Sequence, residues 1–429
     1  MAHGRADERV GAAGGGLGPV GELERVGAID LLRGVAILGI LPMNVPHVAH
    51  STAKFFNPAL LGPLEGLDRA LWSIGHLFFD MKMMAVFSML FGAGLVLMDE
   101  RAGARGRSVA GLMYRRLAWL ALIGLAHAYL LWYGDILLSY ALCGMTVFPL
   151  RRLPAKWLAV IGAAVLTPGV LLSIAQGFMF QWLRDTGHEA WAEVQGIRQP
   201  TPEMIAEQRA ASTGSYADWL AHNATTAVFM QTLLFFTWTL WRAGGLMLIG
   251  MALFKWGVLS AQRSVRFYAL MGVIGYGVGL PLVWWGAARS EAHGFNVVDL
   301  FKSDWHFNYA GSVGVALGHI AVVMLVWRSG ALRTVVAMLA SAGRMALTNY
   351  LMQSMIFCLV FLGWGFGLWG RVDRAGQWGM VFAVWALQLA LSVWWLRRFR
   401  FGPAEWAWRS LTYWRVQPMR RGASASGGL

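Results

Sequence analysis

The chain has 429 residues, 57% of them hydrophobic and only 14% charged, whereas soluble domains carry about 25% charged residues, so a soluble multidomain protein is excluded. Its formal net charge of +14 does not point to nucleic acid, because the basic residues fall in short clusters between apolar runs and form no basic face or known nucleic-acid motif. The two cysteines, Cys143 and Cys358, both lie inside apolar runs, which excludes a disulfide framework and cysteine-based zinc spacing.

The first 25 residues, MAHGRADERVGAAGGGLGPVGELER, are Gly-rich and polar and lack the apolar core of a signal peptide. Residues 1–27 are therefore expected to form a flexible cytoplasmic tail. Apolar runs follow at about 28–48, 72–98, 112–133, 136–150, 156–180, 224–254, 265–288, 309–328, 344–368 and 377–396. A run of about 20 apolar residues matches a hydrocarbon core of roughly 30 Å. The expected fold is all-α: a polytopic integral membrane bundle with about ten transmembrane helices.

With the N-terminus set inside, 24 of the 36 Lys and Arg residues fall on cytoplasmic segments and nine on outside segments, while Arg33, Lys82 and Arg242 lie within apolar runs. A bias that alternates loop by loop is what the positive-inside rule expects of a multi-pass protein with both termini cytoplasmic. The map divides the chain into an N-terminal transmembrane half (28–180), an extracytoplasmic segment (181–223), a C-terminal transmembrane half (224–400) and an interfacial helix with a cytoplasmic tail (401–429). Thr201 and Pro202 mark a helix start in the middle segment, which is either a cap over a cavity or a plain connector.

A charge inside a bilayer is costly unless it is paired or faces a cavity, which makes each one a candidate for function, with a structural ion pair as the alternative. Asp30 and Arg33, three apart, share a face of the first span and can pair; binding of an anionic ligand is the other reading. Asn44 stands near the outer end of that span, beside the helix-disrupting Pro46 and ahead of His47 and His50. It is a plausible donor and acceptor for substrate where irregular backbone lines a cavity. Asp80 and Lys82, two apart in the second span, point in different directions, and Lys82, roughly 15 Å deep, needs a partner, a cavity or a lowered pKa.

His127 in the third span and Asp135 just after it can form a base with an orienting acid, or His127 can be hydrogen-bonded between helices. Arg242, mid-span in the sixth run, is expected to pair with Asp80 or Asp135 or to meet an anionic substrate group. Arg344, Asn349 and Gln353 open the ninth span; Asn349 and Gln353 share a face and either glue helices together or bind substrate. Gly275 and Gly279 form a GxxxG pattern that predicts close helix packing, within or between chains. Glu405 and Arg409 form an i,i+4 pair in a predicted interfacial helix that begins at Pro403. No P-loop, HExxH, GxSxG or dinucleotide fingerprint occurs, and no metal or bound cofactor is expected.

The segments IDLLRGVAILGILPMN, FSMLFGAGL, RRLAWLALIGLAHAYLLWYGDILLSYAL, RAGGLMLIGMAL, GRMALTNYLMQS and FGPAEWAWRSLTY together resemble the bacterial YeiB-type membrane proteins, which carry a domain of unknown function numbered 418 in their C-terminal half. That family in turn resembles the transmembrane acyltransferase superfamily, which includes heparan-alpha-glucosaminide N-acetyltransferase and the cell-envelope O-acyltransferases. The resemblance implies a helix bundle with a through-membrane cavity in the bacterial inner membrane. It also implies acyl-CoA as co-substrate and a glycan or lipid acceptor on the far side. Asp30, Arg33 and Gly34 match that superfamily's opening Asp-x-x-Arg-Gly pattern and Asn44 matches its active-site Asn, but Phe55 stands at the spacing of its active-site His.

Two functions therefore stand side by side. As an acyltransferase, the protein would use His127 as general base, Asp135 to orient it, and Asn44 and Arg242 to place the acyl oxygen, with Arg33 near the phosphates of the donor. As a transporter of a small organic anion, it would line its path with Lys82 and Arg242. The lipid bilayer is the one partner expected in either case.

Overall fold

Backbone groups in lipid must be satisfied within their own segment, which leaves long apolar runs little choice but the helix. The computed structural model describes residues 27–60, 62–104 and 108–421, and among these it contains helices and no strands. The expected N-terminal tail lies outside the described residues, apart from Gly27. In chain order the helices are α1 (Gly27–Ala49), α2 (Thr52–Phe56), α3 (Gly66–Phe78), α4 (Lys82–Gly103), α5 (Ala110–Leu130) and α6 (Leu137–Val147). They continue with α7 (Ala155–Asp185), α8 (Trp191–Gly196), α9 (Pro202–Thr213), α10 (Tyr216–Gln231), α11 (Leu240–Lys255) and α12 (Val265–Ala292). The last six are α13 (Val297–Asp299), α14 (Trp305–Ser329), α15 (Arg333–Arg344), α16 (Ala346–Phe361), α17 (Arg374–Arg398) and α18 (Pro403–Tyr413).

Seven helical segments among the described residues are long and apolar enough to cross a membrane: Gly27–Ala49, Gly66–Gly103, Ala155–Asp185, Tyr216–Lys255, Val265–Ala292, Val297–Ser329 and Arg374–Arg398. The other three expected spans are helical but shorter or more polar. Helix α5 has 21 residues with Arg115 and Arg116 in its first two turns, α6 has 11 residues and α16 has 16. Three of the long segments are not continuous α-helices. The run expected at 72–98 is interrupted between α3 and α4, where Met81 takes a left-handed φ of 61°. The run expected at 224–254 passes through a π-helical turn, Phe235–Thr239, before α11, and a second π turn, Leu300–Asp304, leads into α14.

Glycine permits close backbone-to-backbone crossings between helices. A Cβ on Gly275 would stand 2.6 Å from the Gly314 carbonyl oxygen, and one on Gly279 would stand 2.7 Å from that of Gly311. The GxxxG pattern of α12 is thus used within the chain, against α14. Gly92 of α4 and Gly250 of α11 meet the opposing backbone at Met247 and Met89, and Gly34 of α1 and Gly343 of α15 meet at Leu339 and Asp30. Small residues allow such approach in membranes, where packing replaces hydrophobic driving force.

At the C-terminal end, α18 begins at Pro403 as expected. Glu405, however, turns inward: it accepts hydrogen bonds from Leu347 N at 2.6 Å, from Thr348 N at 3.1 Å and from the Thr348 hydroxyl. Its carboxylate therefore caps the first turn of α16, where a negative charge is favoured by the helix dipole. Burial raises the Glu405 carboxyl above its ordinary range.

The glycine crossing is testable. Gly279→Leu is expected to lower the thermal unfolding midpoint of the purified protein, through an overpacking cost of about 1–3 kcal/mol. Gly277→Leu, whose Cβ would meet nothing within 4 Å, should leave the midpoint near that of the wild type. Equal midpoints for the two variants would refute the α12–α14 contact.

Candidate functional site

The break between α3 and α4 is where the buried charges gather. Lys82, fully buried, donates to the His76 carbonyl oxygen at 2.6 Å and to Asn308 Oδ1 at 2.6 Å. Asn308 Nδ2 in turn donates to Asp80 Oδ2 at 2.8 Å, and His76 Nδ1 lies 3.2 Å from the same oxygen. Asp80 and Lys82, which would diverge on a continuous helix, are joined by Asn308 because the helix stops between them. The ammonium also sits at the C-terminal end of α3, the favourable end of the helix dipole for a cation. Irregular backbone at membrane depth is tolerated where it is buried or lines a cavity, and here it does both.

The break opens onto a cavity of about 130 Å3. Met43, Trp72, His76, Asp80, Trp305 and Asn308 are among its walls. The His76 ring stacks on Trp72 with centroids 5.2 Å apart and planes 10° from parallel. Lys54 and Arg374 line the same cavity, and so does Arg198 from the segment 181–223. Arg198 is itself buried, donating to Ser290 Oγ at 3.2 Å and to the Phe56 carbonyl. Burial, and then the neighbouring Arg374, lowers the Lys54 ammonium from its ordinary range. Burial, and then Lys54, pushes His50 down to about 4.

A second cavity, about 260 Å3, lies toward the opposite end of α1. Five arginines line it from five separate helices: Arg33 of α1, Arg101 of α4, Arg116 of α5, Arg344 of α15 and Arg409 of α18. Among the described residues, the acids in its wall are Asp30, which Arg33 holds at 3.1 Å, and Glu405, which caps α16. Arg33 keeps 33% of its side chain exposed despite that pair. Arg116 lies over the Trp408 ring at 3.6 Å. Beyond the arginines the wall is apolar, with Phe87, Leu90, Leu120, Leu137, Tyr140 and Tyr350. The two cavities nearly meet on α1. Ile40 lines the basic cavity and Met43 the break cavity, three residues and about 4.5 Å of rise apart on neighbouring faces.

The remaining expected site residues are dispersed. His127 Nδ1 and Asp135 Oδ1 are 3.0 Å apart, each side chain only 1% exposed, and Asp135 Oδ2 also accepts from Leu138 N at 2.9 Å. His127 Nε2 is buried with no hydrogen-bond partner. Neither residue lines either cavity. The Tyr350 ring, 5.0 Å from that of His127, lines the basic cavity.

Arg242 pairs with neither Asp80 nor Asp135. Its guanidinium donates to the Tyr309 carbonyl at 2.6 Å and to the Ser312 hydroxyl, and it lies 4.4 Å from the centre of the Tyr309 ring. A π turn immediately before α14 brings this carbonyl and hydroxyl to it. Asn349 donates to the Ala342 carbonyl and to Ser392 Oγ, and Gln353 donates to the Ile37 carbonyl and to Gln388 Oε1; both bridge helices and line neither cavity. Asn44 is half-buried on α1 and lines neither cavity. His47 packs against Phe55 at 3.9 Å between ring centroids. Two residues of the break, His76 and Asn308, were not expected. The i,i+4 spacing of His76 and Asp80 was a legible signal, whereas nothing in sequence ties Asn308 to them.

Residues 253–415 match a family model described as "Protein of unknown function (DUF418)". The chain is 31% identical over 413 residues to "Uncharacterized protein YxaH" of Bacillus subtilis (strain 168), covering 93% of this chain and 96% of that protein. It is 30% identical over 410 residues to "Uncharacterized protein YeiB" of Escherichia coli (strain K12), covering 91% and 97%. It is also 27% identical over 401 residues to "Uncharacterized 39.9 kDa protein in amylase 3'region" of Bacillus acidopullulyticus. With relatives at 30% identity or more along nine-tenths of its length, and with the helical membrane architecture described above, the chain belongs to the YeiB-type family of bacterial DUF418 membrane proteins.

Proposed function

We propose that the protein is a membrane-embedded acyltransferase that takes an acyl group from cytoplasmic acyl-CoA and delivers it to a hydroxyl or amine of an extracytoplasmic or membrane-bound acceptor. The observation that carries this is the basic cavity. It presents arginines from five helices and then an apolar interior of aliphatic and aromatic side chains. Phosphates favour arginine through bidentate, charge-assisted hydrogen bonds, and an acyl chain favours the apolar depth. An acyl-CoA carries both features in that order. The near-contact of the two cavities on α1 supports transfer from one side to the other. In this proposal the basic cavity faces the cytoplasm, as do both termini, and the protein lies in the bacterial inner membrane.

Arg33 and Arg116 are assigned to the donor's phosphates. Asp30 holds Arg33 in place. Asn44 and Arg242 receive no part in placing the acyl oxygen, since neither lines a cavity.

A thermal-shift series tests donor binding. A ligand at a hundredfold excess over its dissociation constant stabilises the native state by about 2.7 kcal/mol. The purified protein should be stabilised by acetyl-CoA, longer acyl-CoAs and free CoA, and the stabilisation should vanish in Arg33→Glu and Arg116→Glu. No stabilisation by any CoA species would sink the proposal.

One observation favours a different function. A discontinuous helix with a buried cation at mid-membrane is a recurrent device of transporters, and Lys82 at the α3–α4 break fits it. A transporter of a small organic anion needs a sealed compartment, whereas covalent chemistry does not. Detergent-purified protein given a membrane extract as the source of acceptor is therefore expected to consume acyl-CoA. Anion uptake by proteoliposomes that is abolished in Lys82→Gln, with no acyl-CoA consumption in detergent, would favour transport.

A further inference from the structure

We infer that His76, oriented by Asp80 at the break between α3 and α4, is the general base that takes the acceptor's proton; this rests on the acyltransferase proposal above. Among the histidine–carboxylate contacts of the transmembrane bundle, His76–Asp80 has both members in the wall of a cavity. His127–Asp135 does not.

The geometry is that of a base with an orienting acid. His76 Nδ1 faces Asp80 Oδ2 at 3.2 Å, which places the ring proton on Nδ1 and leaves the Nε2 lone pair as acceptor. Nε2 makes no hydrogen bond to the protein among the described residues. Asp80 is itself held by Asn308 at 2.8 Å, and Asn308 by Lys82 at 2.6 Å. Stacking on Trp72 fixes the plane of the imidazole. Base, orienting acid and supporting shell therefore come from α3, the link after it, α4 and α14, brought together at the break.

The charged groups near His76 are Asp80 and Lys82 at the break and Arg198 from the segment 181–223. Asp304, in the same cavity wall, is occupied by Arg289 at 3.3 Å and by His293 at 2.9 Å. Lys54 and Arg374 complete the charged wall. The cavity thus combines a base with cationic groups around it, and it lies toward the end of α1 opposite to the basic cavity.

The step balances without further reagents. The acceptor's oxygen or nitrogen attacks the thioester carbonyl, and its proton passes to His76 Nε2. The new C–O or C–N bond forms as the C–S bond breaks. CoA departs as a thiolate and takes a proton from water on the cytoplasmic side, while His76 returns its own proton to water in the break cavity.

The test uses membranes containing the full-length protein, which supply native acceptors, with acetyl-CoA, octanoyl-CoA and palmitoyl-CoA as donors and free CoA thiol as the readout. General-base catalysis is worth about 10²–10⁴ in rate. His76→Ala is expected to lower thiol release by at least about a hundredfold and to abolish the rise in rate with pH that a neutral imidazole produces. Donor binding by thermal shift should be unchanged, since the basic cavity is untouched and the Lys82 bond goes to the His76 backbone. Asp80→Asn, which keeps the shape of the side chain, should retain partial rate with a shifted pH profile.

Wild-type rate and pH profile in His76→Ala would overturn the inference, most directly if His127→Ala were the inactive variant instead. Loss of donor binding together with rate in His76→Ala would make His76 a structural residue and overturn it equally. No thiol release by the wild-type protein with any of the three donors would remove the acyltransferase proposal and the base with it.

Discussion

Lys82 is the constraint around which the bundle is arranged. A charge near the middle of a bilayer costs about 2.5–3.5 kcal/mol on insertion scales, and this ammonium has no exposure at all. It is accommodated because α3 ends at Phe78 and leaves the His76 carbonyl free to accept from it. The same interruption turns Asp80 toward Asn308, and Asn308 closes the link back to Lys82. A continuous helix would have satisfied the backbone and stranded both charges.

The π turn before α14 belongs to the same arrangement. It lies immediately upstream of Asn308, Tyr309 and Ser312, the residues that meet Lys82 and Arg242. Helix α14 thus contributes to holding two buried cations, through side-chain oxygens and a backbone carbonyl, and among the described residues no carboxylate contacts Arg242. Hydrogen bonds to a charged donor are stronger than neutral ones, which is how such a cation persists without an ion partner. Glycine crossings at Gly92 and Gly250 set α4 against α11, and those at Gly275 and Gly279 set α12 against α14.

The two cavities differ in what surrounds them. The basic cavity draws its charge from helix ends, where Arg33, Arg101, Arg116, Arg344 and Arg409 converge, and α18 closes one side of it by lodging Glu405 on α16 and Trp408 under Arg116. The break cavity draws its chemistry from helix interruptions: the α3–α4 gap and the Leu300–Asp304 turn. Helix α1 passes both, and its Asp30–Arg33 pair and its Met43 belong to different compartments.

By itself, the sequence determined the all-α membrane architecture, most helix positions, the start of α9 at Pro202 and of α18 at Pro403, and the shared helix face of Asp30 and Arg33. Each of these follows from hydropathy over about 20 residues or from spacing within a few residues, which are local quantities. Only the tertiary structure decided that the second run is broken at Met81, that Glu405 caps α16, that Arg242 leans on α14, and that Asn349 and Gln353 bridge helices. Residues 76, 80, 82 and 308 meet across more than 200 positions of chain. Hydropathy does not register such a meeting, because an apolar run reads the same whether the helix within it continues or stops to seat a charge.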